Sequence, residues 1–270
     1  MPTRTRPPLL SEASFARIRQ RVVQATGVHL ADDRRAVVAA RLHKRLKAHR
    51  LADFEHYLAL LDSEHGATEH EHLLRLLVAR DSYFFREHRH FEWLAGWLAE
   101  HQHPVRLWSA ACATGEEAWS LAMVAAENAR HPGWQVLASD FDPQVLEHAA
   151  AGIYDIAQAR YFPEGWLARH CLCGVGEMAG RLRVAPALRE QVGFEAINLI
   201  QPLPERLGQF DAILLRNLLS SLAPTYKREV LRRVLAQLRP GGLLIIGHSE
   251  SIHEMDLPLR PLLPSVFERL

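Results

Sequence analysis

Leu107-Trp108-Ser109-Ala110-Ala111-Cys112-Ala113-Thr114-Gly115-Glu116-Glu117 reads as a short apolar strand, a tight turn of small residues and the acidic start of a helix. No large side chain blocks the backbone of such a turn, so a nucleotide-like ligand can lie against it. The two glutamates turn the expectation away from phosphate. Carboxylates at a helix N-terminus repel a pyrophosphate but suit a cationic, hydroxyl-rich ligand. S-adenosylmethionine, with its sulfonium, ammonium and ribose, has that chemistry.

Outward from this turn the texture is strand, helix, strand. Val105–Ala110 is the first predicted strand and Glu116–Arg130 its helix. Trp134–Ser139 is the second strand, ending in Asp140, with a helix over Pro143–Ala150. Phe210–Leu215 is a buried strand ending at Arg216-Asn217. Pro224 opens a helix that runs to Leu238, Arg239-Pro-Gly-Gly242 interrupts, and Leu243–Gly247 is a further strand. Short apolar strands alternating with amphipathic helices predict a parallel, doubly wound α/β sheet. Ligands of such sheets bind beyond the carboxyl ends of the strands, where Glu116, Asp140, Arg216 and Asn217 fall. An acid at the place of Asp140 serves either as a ribose ligand or as a helix cap. Asp142-Pro143 is itself a good helix entry, which leaves Asp140 for the ligand.

Upstream, residues 11 to about 103 are predicted helical. Ser11 opens one helix, and Ala31-Asp-Asp33 is the expected cap of a second that runs from about Arg34 to His49. Val38, Leu42 and Leu46 form its buried stripe, while Arg34, Arg41, Lys44, Arg45 and Lys47 project mostly from the other side. A basic face inside a balanced chain is either a solvated helix surface or a docking face for an acidic partner. Further helices are expected at Leu51–Leu61, Leu73–Val78 and His90–Glu100. Glu64–His72, with three histidines, reads as a solvated loop or helix edge; no metal site is expected there or at Cys171-Leu-Cys173. Between Ala151 and Val192 the alternation stops. Arg181–Val184 and Val192–Glu195 suggest a small antiparallel insertion.

The composition bounds the function. The chain has 270 residues, 48% of them hydrophobic, a formal net charge of +1 and three cysteines. That length holds one large or two unequal domains. Balanced charge argues against a nucleic-acid partner, and a predicted signal peptide or membrane span is missing from the pattern. The odd cysteine count fits a reducing, cytoplasmic setting. A monomer is the default expectation.

Six ordered blocks resemble the chemotaxis-receptor glutamate O-methyltransferase family (CheR-type): Arg80–Arg86, similar to its Asn-Glu-Thr-x-Phe-Phe-Arg; Trp108–Met123; Ala138–Tyr154; Ala196–Leu199; Phe210–Leu219; and Leu238–Ser251. The resemblance implies a helical N-terminal domain over residues 1–88 and a Rossmann-like methyltransferase domain over 89–270, with a small β insertion at about 155–192. It implies S-adenosylmethionine as cofactor, S-adenosylhomocysteine as product, and glutamate carboxylates on the cytoplasmic helical domain of a chemoreceptor as acceptors. By position, cofactor contacts would come from Arg80, Ser82, Arg86, Glu116, Asp140, Asn198, Leu199, Arg216 and Asn217. Arg86 would orient a carboxylate, and Arg41, Lys44, Arg45 and Lys47 would dock the receptor. The chain departs from the family pattern where Arg80 replaces asparagine, Ser82 threonine and Ala111 a frequent glycine, and where Ser221 stands at the tyrosine of Arg-Asn-x-x-x-Tyr-Phe. The last departure keeps a second reading open, a cofactor-binding scaffold with little or no methyl transfer.

Overall fold

The computed structural model describes residues 8–78, 81–253 and 255–270; Arg80 lies outside them. The chain forms two compact units. The first comprises Met1–Ala79 and Ser221–Tyr226, the second Arg80–Ser220 and Lys227–Leu270.

The first unit is built on α1 (Glu12–Thr26), α2 (Arg35–Ala48), α3 (Phe54–Asp62) and α4 (Ala67–Leu77). Ser11 caps α1 by accepting the Ser14 N–H at 3.0 Å, and Gly27 ends it at φ 74°. Only glycine adopts that left-handed conformation without strain. Phe15, Ile18 and Val22 of α1, Val38, Leu42 and Leu46 of α2, and Leu73 and Leu77 of α4 recur at helical spacing and are buried. The expected aspartate cap of α2 does not form. Asp32–Arg34 is a separate 3-10 turn, and Asp32 pairs with Arg19 instead. Of the two readings of Glu64–His72, loop or helix edge, the helix holds from Ala67, which opens α4, but Glu69 is buried at 3% exposure rather than solvated. The second stretch of chain in this unit adds a short β-bridge, Val28 to Leu222, flanked by His29 N–H donating to the Ser221 carbonyl at 2.8 Å.

The second unit runs α5 (Arg89–Glu100), β1 (Arg106–Ser109), α6 (Glu116–Asn128), β2 (Gln135–Asp140), α7 (Pro143–Ala151), β3 (Ile153–Asp155), α8 (Trp166–His170), β4 (Cys171–Cys173), β5 (Arg181–Val184), α9 (Pro186–Arg189), β6 (Val192–Ala196) and β7 (Phe210–Leu215). It ends with α10 (Pro224–Ala236, from Lys227 onward), β8 (Leu238–Ile246), β9 (Leu259–Leu263) and β10 (Val266–Arg269). Among the described residues, one seven-stranded sheet has the order β6-β2-β1-β7-β8-β10-β9. The first five of these pair in parallel, and β10 and β9 pair antiparallel. The all-parallel expectation is therefore corrected to a mixed sheet. β7 is buried at every residue, as a central strand covered on both faces must be. α6 packs on β1 and β2, and α5 packs on α6.

The insertion is a three-stranded antiparallel sheet, β3-β5-β4. Val192–Glu195 does not belong to it. That segment is β6, pairing with β2 from Val136↔Val192 to Asp140↔Ala196. The compact units part at residue 79 rather than 88. Phe84 and Phe85 are why: both lie in the core cluster of the second unit, against Phe91, Tyr154 and Phe162.

Candidate active site

The turn between β1 and α6 packs closely against α7 and β3. Gly115 sits at φ 96°, and a Cβ there would lie 2.7 Å from the Ala149 Cβ and 2.8 Å from the Tyr154 hydroxyl. Both the conformation and the space exclude a side chain. Tyr154 donates its hydroxyl to the Thr114 carbonyl at 2.8 Å. Glu116, 5% exposed at the first position of α6, accepts from the Thr114 hydroxyl at 2.6 Å.

One strand over, Asp140 ends β2 at 8% exposure. Asp142 caps α7 by accepting the Gln144 N–H at 3.1 Å, with Pro143 in the first turn, while Asp140 accepts the Asp142 N–H at 3.1 Å. Ile197 N–H donates to the Asp140 carbonyl at 2.9 Å, which brings Asn198 and Leu199 beside that strand end. Asn198 accepts the Ile200 N–H at 3.3 Å, and Leu199 is buried.

The electrostatic character of this corner is legible on Cys112, which lies in the turn. Burial pushes its thiol pKa well up, and the negative charges of Asp140, Glu117 and Glu116 push it in the same direction. Three carboxylates therefore act on one buried turn. That donor set fits the ammonium, sulfonium and ribose hydroxyls of S-adenosylmethionine and disfavours a phosphate.

Arg216 and Asn217 follow β7 and are already committed within the chain. The Arg216 side chain is 1% exposed and bonds Glu117 and Glu87, each at 3.1 Å, together with the Arg86 carbonyl. Its guanidinium lies 5.3 Å from the centre of the Phe91 ring. Asn217, at φ 59°, donates its side-chain amide to Glu87 at 3.1 Å and its backbone N–H to Glu250 at 3.0 Å. The Arg216 side chain thus forms a clamp that fixes the turn ahead of α5. Ser82 and Arg86 lie on that turn. Arg86 is half-buried, donates to the Asp81 carbonyl at 2.6 Å and reaches over the Tyr83 ring.

Sequence reasoning passed over Glu87 and Glu250, and counted Glu117 only as part of the acidic start of α6. Burial raises Glu117 above the usual carboxylate range although Arg216 and Ser109 pull it down. Burial also opposes charge on Glu87, but hydrogen bonds from Asn217 and Arg216, with the Arg216 charge, outweigh it and depress its pKa. Glu250 accepts the Gly247, Asn217 and Ser220 N–H groups at 2.7, 3.0 and 3.0 Å, tying the ends of β7 and β8. A clue was available: both Glu87 and Glu250 lie in or next to blocks already singled out, at positions where an acid has no helix to solvate.

On the basic face of α2, Lys44 and Lys47 are exposed. Arg41 donates to the Leu76 carbonyl at 2.9 Å. Arg45 instead turns inward: its Nε bonds Glu69 at 2.9 Å, alongside the Tyr57 hydroxyl and His49 Nε2, both at 2.7 Å.

Two family descriptions cover most of the chain: "CheR methyltransferase, SAM binding domain" at residues 80–262 and "CheR methyltransferase, all-alpha domain" at 13–78. The chemotaxis protein methyltransferase of Escherichia coli K12 is 39% identical over 92% of this chain and 87% of its own length. Chemotaxis protein methyltransferase 2 of Pseudomonas aeruginosa is 36% identical over 95% of this chain and 96% of its own. With a helical unit, a cofactor-type sheet and an acidic turn in the matching places, the chain belongs to the CheR methyltransferase family, whose members are S-adenosylmethionine-dependent methyltransferases.

Proposed function

We propose that this chain transfers the methyl group of S-adenosylmethionine to glutamate carboxylates on the cytoplasmic helical domain of a methyl-accepting chemoreceptor, giving glutamyl methyl esters. The observation that carries the site assignment is the pair of buried carboxylates, Glu116 at the start of the helix that follows β1 and Asp140 at the end of the adjacent parallel strand β2. When bound, S-adenosylmethionine supplies an electrophilic methyl group. Glu116 binds the amine-bearing end and Asp140 the ribose hydroxyls, with Asn198 and Leu199 beside them. Ser82 and Arg86 line the approach, and Arg86 orients a carboxylate. Arg216 and Asn217 hold that turn through Glu87 and shape the site from behind.

A glutamate acceptor is ionised at neutral pH, with a reference pKa of about 4.3, so the chain need not supply a general base. Its contribution is alignment and the exclusion of water from opposite charges that neutralise each other. Loss of one charge-assisted hydrogen-bonding group costs on the order of 1.5–3 kcal/mol. Asp140→Ala is accordingly expected to raise the calorimetric Kd for S-adenosylhomocysteine by about 10–100-fold; an unchanged affinity overturns the ribose assignment.

Receptor docking is assigned to Arg41, Lys44 and Lys47, with Arg45 shaping the helix from inside. Lys44→Glu combined with Lys47→Glu should slow methylation of a receptor fragment by roughly 10-fold at low salt, and less as salt rises. Cofactor affinity should stay as it was, and parallel loss of both would mean that the face is structural. The whole reading is tested by radiolabelled methyl transfer to receptor cytoplasmic fragments. A base-labile label on the receptor supports it. Cofactor binding with no label on any receptor favours the scaffold, and Ser221→Tyr is then the variant to make.

A further inference from the structure

Glu87, His90 and His248 converge although only the first two are near in sequence. Each offers one ligand atom, and these atoms lie within 4.8 Å of one another. Glu87 and His90 stand three residues apart where the turn enters α5, and His248 follows β8. The His90 and His248 rings meet edge to face with centroids 4.3 Å apart.

His90 has no role in the cofactor corner, and its surroundings leave it unexplained. It is 3% exposed, yet neither ring nitrogen has a hydrogen-bond partner. Its Nδ1 stands 3.4 Å from Glu87 Oε2 without bonding to it. A buried polar group left unsatisfied costs on the order of 1–3 kcal/mol, and an imidazole so placed calls for a partner.

We propose that Glu87, His90 and His248 form a site for a borderline transition-metal ion, with Zn2+ as its natural probe. Two imidazoles and a carboxylate are the donor set of zinc and its neighbours rather than of magnesium or calcium. Three protein ligands leave a fourth position to water. In a tetrahedral set with bonds of about 2.0–2.1 Å, ligand atoms stand roughly 3.3 Å apart. The cluster must therefore tighten slightly, and the exposed His248 has the freedom to close it. Exposure of His248 also gives the ion a way in.

The shell behind the ligands is already built. Glu87 accepts from Arg216, Asn217 and the His248 N–H, at 3.1, 3.1 and 3.2 Å, as ligating carboxylates commonly do. The Arg216 guanidinium lies 3.1 Å from Glu87 Oε2, so it opposes a second cation. The site is accordingly one of moderate affinity, loading and unloading with the supply of metal. A bound ion would staple the loop after β8 to the turn that carries Arg86.

The test is a calorimetric titration of the chelator-treated full chain with Zn2+, independent of any methyl acceptor. One saturable equivalent is expected, with Co2+ producing visible ligand-field absorption at the same site. A tenfold excess of metal over its Kd should raise Tm by roughly 2–4 °C. His248→Ala, an exposed change that spares the core, should weaken binding at least tenfold, as should His90→Gln, while His65→Ala leaves it intact. No saturable binding by the parent chain, or binding untouched by His248→Ala, overturns the proposal.

Discussion

Arg216→Met should unfold the second unit far more easily than any change on its surface. The substitution keeps the volume and removes a guanidinium whose side chain is 1% exposed between Glu87 and Glu117. Two carboxylates would then be left without their shared cation. Breaking a buried pair from one side costs about 3–5 kcal/mol, because the remaining charge stays buried and uncompensated. A fall in Tm of roughly 10 °C is expected for the transition of this unit, followed by near-UV circular dichroism of its tryptophans. Arg216→Lys keeps the charge without the planar fork and should fall between the two. Adding Glu87→Gln to Arg216→Met should cost less than the two losses summed, since each removes part of the other's reason to be there. A change in Tm below 2 °C for Arg216→Met would mean that water reaches the clamp and screens it.

The second large effect belongs to the helical unit and depends on pH. Burial works against charge on Glu69, but the hydrogen bonds from Arg45, Tyr57 and His49 outweigh it and bring its pKa down to about 2. A carboxylate with a depressed folded pKa contributes stability above its unfolded pKa and loses it as pH falls through the folded value. The window therefore runs from about pH 4.5 down to about pH 2, and the stabilisation lost across it is about 3 kcal/mol. Glu69→Gln should remove most of this contribution at pH 7 and flatten the acid limb. Far-UV melts of the full chain at pH 7 and pH 3 measure both. If the variant keeps the parent's acid sensitivity, other carboxylates govern that limb. Because the same bonds draw Arg45 inward, the variant should also free a charge on the basic face of α2.

Short-range chemistry made much of this legible from the residues. The strand, small turn and acidic helix start at 107–117, the Asp142-Pro143 cap and the Pro224 helix entry each follow from neighbours in sequence. The adjacent strand ends followed too, since parallel alternation dictates where Glu116 and Asp140 fall. What escaped depends on pairings remote along the chain. Val192–Ala196 has the same local pattern whether it joins the insertion or the edge of the main sheet, and only its register against β2 decides. Leu259–Leu263 carries Pro261 and lacks alternation, so the antiparallel end of the sheet left little trace. Glu69 and Glu87 look solvated in sequence because the arginines that neutralise them lie 24 and 129 residues away.

The compact units are not consecutive lengths of chain. Ser221–Tyr226 leaves the second unit just after Asn217, joins the first, and returns within α10. The polypeptide therefore crosses between the units at three places, and cutting the chain after residue 79 severs only one of them. Either unit expressed alone would be missing a piece or carrying a stray one. Thermal melting of the helices would also release the chain immediately beyond the Asn217 turn. A perturbation in the helices thus has a covalent route to the Asn217 turn, a tether of a few residues requiring no signal through packed side chains.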